Sequence, residues 1–216
     1  MNASYEHLFS SIRARCEQKH WFGPDLGSPA RRKRVSADDP RRFNFLFPAA
    51  NGEQLYMTEV LLGFPLPPLL RSLYAQMANG GFGPGGGLKG IVGGYGSVES
   101  GTHTFDTETI IDQYRWRCNK GIFDLAEDTG RDKLVSLEVS YGEWLRSLLP
   151  ICNLGCVQEA CLASQERMFI VAPLEGNELY WLRQLPWTFE QWLWRWIRDE
   201  ALIPMHLEAE PPSEAA

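Results

Sequence analysis

No stretch of this 216-residue chain approaches the roughly 18 apolar residues that a membrane-spanning helix requires, so no helical span is expected. The first 20 residues carry Glu6, Arg13, Arg15, Glu17 and Lys19 without an apolar core segment. No secretory leader is therefore expected, and the expected compartment is the cytoplasm. Catalytic signatures are scarce as well. GxSxG, HExxH, GxxxxGK[ST] and the DxDxDG calcium pattern do not occur, which leaves nucleophile-elbow, zincin, P-loop and EF-hand chemistry unsupported. The only histidines are His7, His20, His103 and His206. His103 could act with Asp106, three residues away, but a lone histidine in a mobile loop is weak evidence for general base catalysis. The five cysteines are odd in number and include no CxxC. Cys152, Cys156 and Cys161 read as reduced thiols buried in strands, because no histidine lies near in sequence to complete a zinc site and a fourth ligand such as Cys118 would have to arrive from elsewhere. No metal and no cofactor is expected.

What is present is enough apolar material for a core: 44% hydrophobic and 12% aromatic residues, in a length suited to one domain or one domain with an arm. The net charge of −6 is unevenly spread. Residues 1–46 hold nine Lys/Arg against five Asp/Glu, whereas residues 47–203 hold twelve against nineteen, and the tail 204–216 adds three glutamates. An acidic body repels nucleic acid and steers a basic partner towards it. The cluster Arg31-Arg32-Lys33-Arg34 is too short, and too poor in interleaved aromatics, to outweigh that, and reads as a solvated loop.

Along the chain, Tyr5, Leu8, Phe9, Ile12 and Cys16 mark an amphipathic helix over about residues 4–19. Phe43, Phe45 and Phe47 alternate as a short strand or extended anchor. A helix over 52–62 follows, with Leu55, Val60 and Leu62 expected in the core and Glu59 expected as a structural cap or ion-pair partner. Pro67 and Pro68 suit the first turn of a second helix. In it Leu66, Leu69, Leu70, Leu73 and Met77 recur at three- and four-residue steps, and Asn79-Gly80-Gly81 ends it. The stretch Gly81 to Gly94 contains two GxGxxG matches, Gly81-x-Gly83-x-x-Gly86 and Gly85-x-Gly87-x-x-Gly90. They come after a helix, whereas a dinucleotide fingerprint follows a strand and opens a helix, so the reading is a turn leading into a strand over 88–92. Residues 95–104 read as a mobile loop. Asp106 or Thr107 is expected to cap a helix carrying Ile110, Ile111 and Tyr114. An acidic connector over 118–133 precedes four strand candidates at 149–153, 156–163, 167–173 and 178–185, whose short turns predict antiparallel pairing. Thr188 and Gln191 form a capping box for a last helix. Phe189, Trp192, Leu193, Trp196 and Ile197 share its inner face, and Trp194 lies off it as a candidate contact residue.

The run LGFPLPPLLRSLYAQMANGGFGPGGGLKGIVGG at residues 62–94 resembles the signature segment of the SUKH superfamily, the Smi/Knr-type domains. LPICNLGC at 149–156 is similar to that family's LPICDWGC strand, with Asn153 where the family often has Asp and Leu154 where it often has Trp. Trp192-Leu193 lies in a terminal helix like the family's WLxxWL. The resemblance covers most of residues 43–202. It implies an α+β domain in which helices flank a mainly antiparallel sheet, occupying residues 43–203. An N-terminal helix and basic arm (1–42) precede it, and a disordered acidic tail (204–216) follows.

The resemblance also implies protein–protein recognition without catalysis. Bacterial relatives act as immunity proteins against a cognate toxin, and fungal relatives regulate cell-wall assembly. A protein partner is thus expected, with no nucleic acid and no membrane, and the oligomeric state stays open. The contact is expected at Asn79, Gly80, Gly81, Phe82, Gly83 and Gly87, at His103, at Asp124, Glu127 and Asp128, and at Trp194. The alternative is a small-molecule or nucleotide-binding protein, or an enzyme, using the glycine-rich loop as an anion nest.

Overall fold

A computed structural model of the chain describes residues 5–17, 46–95, 109–120, 148–155, 158–163, 165–173 and 180–204. Among these residues the helices are α1 (Glu6–Glu17), α2 (Gly52–Leu62), α3 (Pro68–Gln76), α4 (Ile110–Lys120) and α5 (Phe189–Ile197). The strands are β1 (Leu149–Gly155), β2 (Gln158–Leu162), β3 (Arg167–Pro173) and β4 (Tyr180–Thr188). They form one antiparallel sheet in the order β1-β2-β3-β4, so the fold is α+β.

The sheet is a meander because its connections are too short for any crossover. Leu149 faces Leu162 and Phe169 faces Gln184, with irregular register in β1 around Ile151 and Leu154 and in β3 at Met168. Both faces of the sheet are buried, as the continuous apolar run of β3 requires. Leu162, Met168 and Ile170 point into the cluster shared with the helices, and Cys161, Phe169 and Val171 are buried on the other face.

β4 runs directly into α5, whose start is held by the capping box: Thr188 Oγ1 accepts from the Gln191 N–H at 3.3 Å, and Gln191 Oε1 accepts from the Thr188 N–H at 3.0 Å. Phe189, Trp192, Leu193 and Trp196 fill the core behind it. α1 packs on α5 and sends Leu8, Phe9 and Ile12 into the same apolar cluster. At the surface Arg15 makes a two-pronged ion pair with Asp199.

The ends of three helices are settled in different ways. α2 begins with Asn51 and Gln54 as a second capping box and ends at Gly63 in the left-handed conformation. α4 is capped by Thr109, whose hydroxyl and N–H both donate to Asp112 Oδ2, rather than by Asp106 or Thr107, which lie outside the described residues. α3 starts at prolines and has no side-chain cap of its own; Glu166, from the turn between β2 and β3, accepts the Leu69 N–H at 2.7 Å. A carboxylate there also meets the positive end of the helix dipole.

Two expectations fail. Val60 is 55% exposed, because α2 buries Leu55, Thr58 and Leu62 and turns Val60 outwards. Residues 88–92 form no strand, only a single bridge between Leu88 and Cys152, since the chain turns away at Gly90. Residues 46–50 run extended without joining a sheet, with the Phe47 N–H donating to the Gly80 carbonyl. No helix among the described residues is long and apolar enough to cross a membrane.

Because Ile12 is fully buried, Ile12→Ala removes core volume that α1 alone supplies. It should cost about 2–4 kcal/mol in urea unfolding, with a single cooperative transition retained. A change below about 0.5 kcal/mol would mean that α1 does not belong to the cooperative unit.

Candidate functional site

The glycine-rich stretch after α3 folds back on itself and then onto the edge of the sheet. Asn79 is 1% exposed and works as an internal strut. Its side-chain oxygen accepts the Ile91 N–H at 2.8 Å and its amide donates to the Val92 carbonyl at 3.2 Å. Its own N–H donates to the Pro48 carbonyl, and its carbonyl accepts from Tyr95. Next to it the chain legs 80–82 and 88–90 lie side by side, with Gly81 donating to Leu88 and Leu88 to Phe82. Gly80 has φ +88°, and a Cβ there would sit 2.7 Å from both the Gly90 nitrogen and the Leu88 oxygen. The tip then docks on β1, where Gly86 donates to the Asn153 carbonyl and Lys89 to the Ile151 carbonyl. Gly85, at φ +58°, passes so close that a Cβ would lie 2.1 Å from the Asn153 oxygen. Only glycine fits these approaches.

Charge sits beneath this loop. Lys89 has a fully buried side chain, yet its ammonium is matched: Nζ lies 2.7 Å from Glu159 Oε1 on β2 and donates to the Gln113 side-chain oxygen on α4. Tyr74, also fully buried on α3, donates its hydroxyl to the Lys89 carbonyl at 2.6 Å. One residue thus joins α3, α4, β1 and β2. Nearby, Cys152 donates its thiol to the Pro84 carbonyl at 2.9 Å. Burial pushes that thiol up to about 12, against a smaller opposing pull from Lys89. Burial likewise raises the Tyr74 phenol well above its ordinary range. Neither group is poised as a nucleophile or base near neutral pH, since both hold their protons there.

An anion nest needs N–H groups that point into open space. Here the N–H groups of Gly81, Gly86, Gly87, Leu88, Lys89, Gly90 and Gly94 already donate to protein carbonyls, and that of Ile91 to Asn79. Among the described residues no group of three or more His, Cys, Asp or Glu side chains is arranged to hold a metal ion.

The candidate contact residues fall into three places. Asn79, Gly80, Gly81, Phe82, Gly83 and Gly87 come together in this loop and are all buried, so the Asn79 and Phe82 side chains have no surface to offer a partner. Trp194 is half-buried on α5, its ring 5.1 Å from that of His7 on α1 and beneath the Arg198 guanidinium at 5.4 Å. His103, Asp124, Glu127 and Asp128 lie outside the described residues. Glu59 has the structural part expected of it, accepting from the Leu66 N–H and from Arg71.

Two features escape a linear reading. One is the Lys89–Glu159–Gln113 network, whose members are 24 and 70 positions apart. The other is an open apolar face on α2, where Tyr56 is 66%, Met57 41%, Val60 55% and Leu61 40% exposed. Polar Glu53, Gln54, Thr58 and Glu59 are spread round α2 rather than gathered on one side, so its sequence does not show which apolar positions stay open. Comparisons with protein-family models, with curated proteins and with solved structures return no match.

Removing one member of a buried pair strands the other's charge. Lys89→Met should therefore cost about 3–5 kcal/mol in urea unfolding, and Lys89→Met combined with Glu159→Leu should recover much of that loss. Strict additivity in the cycle would show the pair to be energetically uncoupled. A second expectation concerns pH. The folded chain holds the Cys152 proton up to about 12, against 9.0 for an ordinary thiol. The stability from this group is present in full below pH 9 and is lost as pH rises from 9 to 12. Wild type should lose stability faster than Cys152→Ser over that window, and parallel pH profiles would contradict the assignment.

Proposed function

We propose that this chain is a non-catalytic protein-recognition domain of the SUKH type, acting in the cytoplasm as an immunity-type protein that neutralises a toxin or as a regulatory interaction protein. The observation that supports this reading is the internal use of the groups that chemistry would need. The N–H groups of Gly81, Gly86, Gly87, Leu88, Lys89, Gly90, Ile91 and Gly94, the Asn79 amide, the Lys89 ammonium and the Cys152 thiol bond to the protein itself. A segment built this way holds a shape; it does not receive a ligand. The sequence resemblance at residues 62–94 and 149–156 supplies the family, and the charge distribution supplies the sign of the partner.

Residues 47–203 carry seven more acidic than basic side chains, a balance that favours a basic partner by steering and suppresses acidic competitors. On this reading Asp124, Glu127 and Asp128 contribute to the attraction, with His103 and Trp194 as further contact candidates. The buried loop from Asn79 to Gly87 acts as the scaffold. An anion-nest function has no observation in its favour.

The test has two arms. In the first, the tagged chain is purified from its native cells and its co-purifying protein is identified, remade and titrated by calorimetry. A stoichiometric basic protein is expected. Asp124→Lys, Glu127→Lys and Asp128→Lys together should weaken its binding about tenfold at low salt, by less as salt rises. In the second, ATP, GTP, NAD and inorganic phosphate at millimolar concentration should leave the melting midpoint unchanged. A rise of several degrees with any of them, or the absence of a stoichiometric protein partner, would overturn the proposal.

A further inference from the structure

Asn-Gly bonds occur twice in the chain, at Asn51-Gly52 and Asn79-Gly80. Because glycine has no Cβ, its nitrogen can swing onto the side-chain carbon of the asparagine before it, which makes such a bond self-reactive. The fold treats the two oppositely. Asn79 is buried, with its side-chain oxygen bonded to the Ile91 N–H and its amide nitrogen to the Val92 carbonyl. Asn51 and Gly52 are exposed, and no atom lies within 4 Å of the place a Gly52 Cβ would take. Asn51 Oδ1 accepts the Gln54 N–H at 2.9 Å, while neither Asn51 Nδ2 nor the Gly52 N–H has a hydrogen-bond partner among the described residues.

We propose that Asn51 is a site of spontaneous covalent modification, converted to aspartate and isoaspartate by its own chain. Solvent hydroxide takes the Gly52 amide proton, and the nitrogen attacks Asn51 Cγ. The new N–Cγ bond forms as the Cγ–Nδ2 bond breaks, and Nδ2 leaves as ammonia with a proton from water, closing a five-membered imide. Water then opens the ring at one of its two carbonyls. Opening at Cγ leaves aspartate; opening at the main-chain carbonyl leaves isoaspartate, with the backbone rerouted through Cβ. Hydroxide is regenerated and no oxidation state changes. The Gln54 N–H points at the oxygen that carries negative charge during the attack, and stabilises it. The same bond is a brake. At ψ 172° Asn51 holds the Gly52 nitrogen out of line with Cγ, so the ring closes only when the cap opens. Exposed helix ends open at almost no free-energy cost, whereas Asn79 is freed only by unfolding the core around it, which holds its reactive fraction down by roughly a thousandfold or more. The two products act differently. Aspartate still caps α2 and favours the positive end of its dipole. Isoaspartate adds an atom to the backbone and displaces the cap, loosening the helix that buries Leu55, Thr58 and Leu62. α2 therefore carries a slow covalent clock, which does not rest on the recognition function proposed above.

Peptide mapping by mass spectrometry on the full chain, aged in mildly alkaline buffer, tests it. The peptide containing Asn51 should gain about one mass unit and become a substrate for isoaspartyl methyltransferase, while Asn79 stays intact. Gly52→Ala fits the open space at that position and should slow the conversion about tenfold. Gln54→Ala removes the side-chain half of the capping box and should speed it about threefold. After separation by ion exchange, the aspartate form should melt close to the unmodified chain and the isoaspartate form several degrees lower. The urea-unfolded chain, aged in parallel, sets the time the bare Asn-Gly bond needs. Asn51 still intact in the folded chain after roughly ten times that period would overturn the proposal. So would Asn79 converting as fast as Asn51, or a rate at Asn51 indifferent to Gly52→Ala.

Discussion

An ammonium group with no exposed surface needs opposite charge inside the protein, and supplying it to Lys89 is what ties the parts of this fold together. Glu159 comes from the second strand, Gln113 from α4, and the Lys89 backbone is held by Ile151 of the first strand and by the Tyr74 hydroxyl from α3. The glycine segment can approach these elements only because Gly80 and Gly85 carry no Cβ. Backbone closeness and ion pairing therefore depend on each other. Without the close approach the ammonium would stop short of its carboxylate, and without the carboxylate the approach would bury a bare charge.

That arrangement explains why a loop so rich in glycine reads as a phosphate cradle and is built as something else. A cradle leaves its N–H groups unspoken for, whereas this loop directs them to its own carbonyls and to the edge of β1. Covering that edge also has a protective effect, because an exposed edge strand is a template for pairing with other chains. The neighbouring thiol and phenol are drawn into the same dry interior, where burial keeps both protonated.

On the surface, α2 and α5 make a contrast. Both are short and rich in large apolar residues, yet α5 is strongly one-sided and spends its aromatic face on the core, while α2 carries apolar residues on two sides and buries only one of them. A helix with apolar residues on its solvent side keeps water against hydrocarbon at a cost in free energy. The outer arc of α2 is where this fold leaves the most such surface among the described residues.

Much of the architecture was legible because it rests on local rules. The short turns, the Thr188–Gln191 capping box and the α5 stripe all act within a few positions, so the meander and the helix after it could be read along the chain. Legibility failed where partners are distant or where a helix lacks a distinct polar side. Nothing in the order of residues says that Lys89 will meet Glu159, 70 positions on, or that α3 will take its N-terminal cap from Glu166, 97 positions after Leu69. Val60 was misplaced because the apolar residues of α2 lie on two sides of the helix and show no single periodic face that must turn inwards. The residues by themselves determined the α+β elements, the cap of α5 and the antiparallel order. Tertiary structure alone decided which apolar face stays open and which charge is buried, because both depend on what the rest of the chain brings alongside.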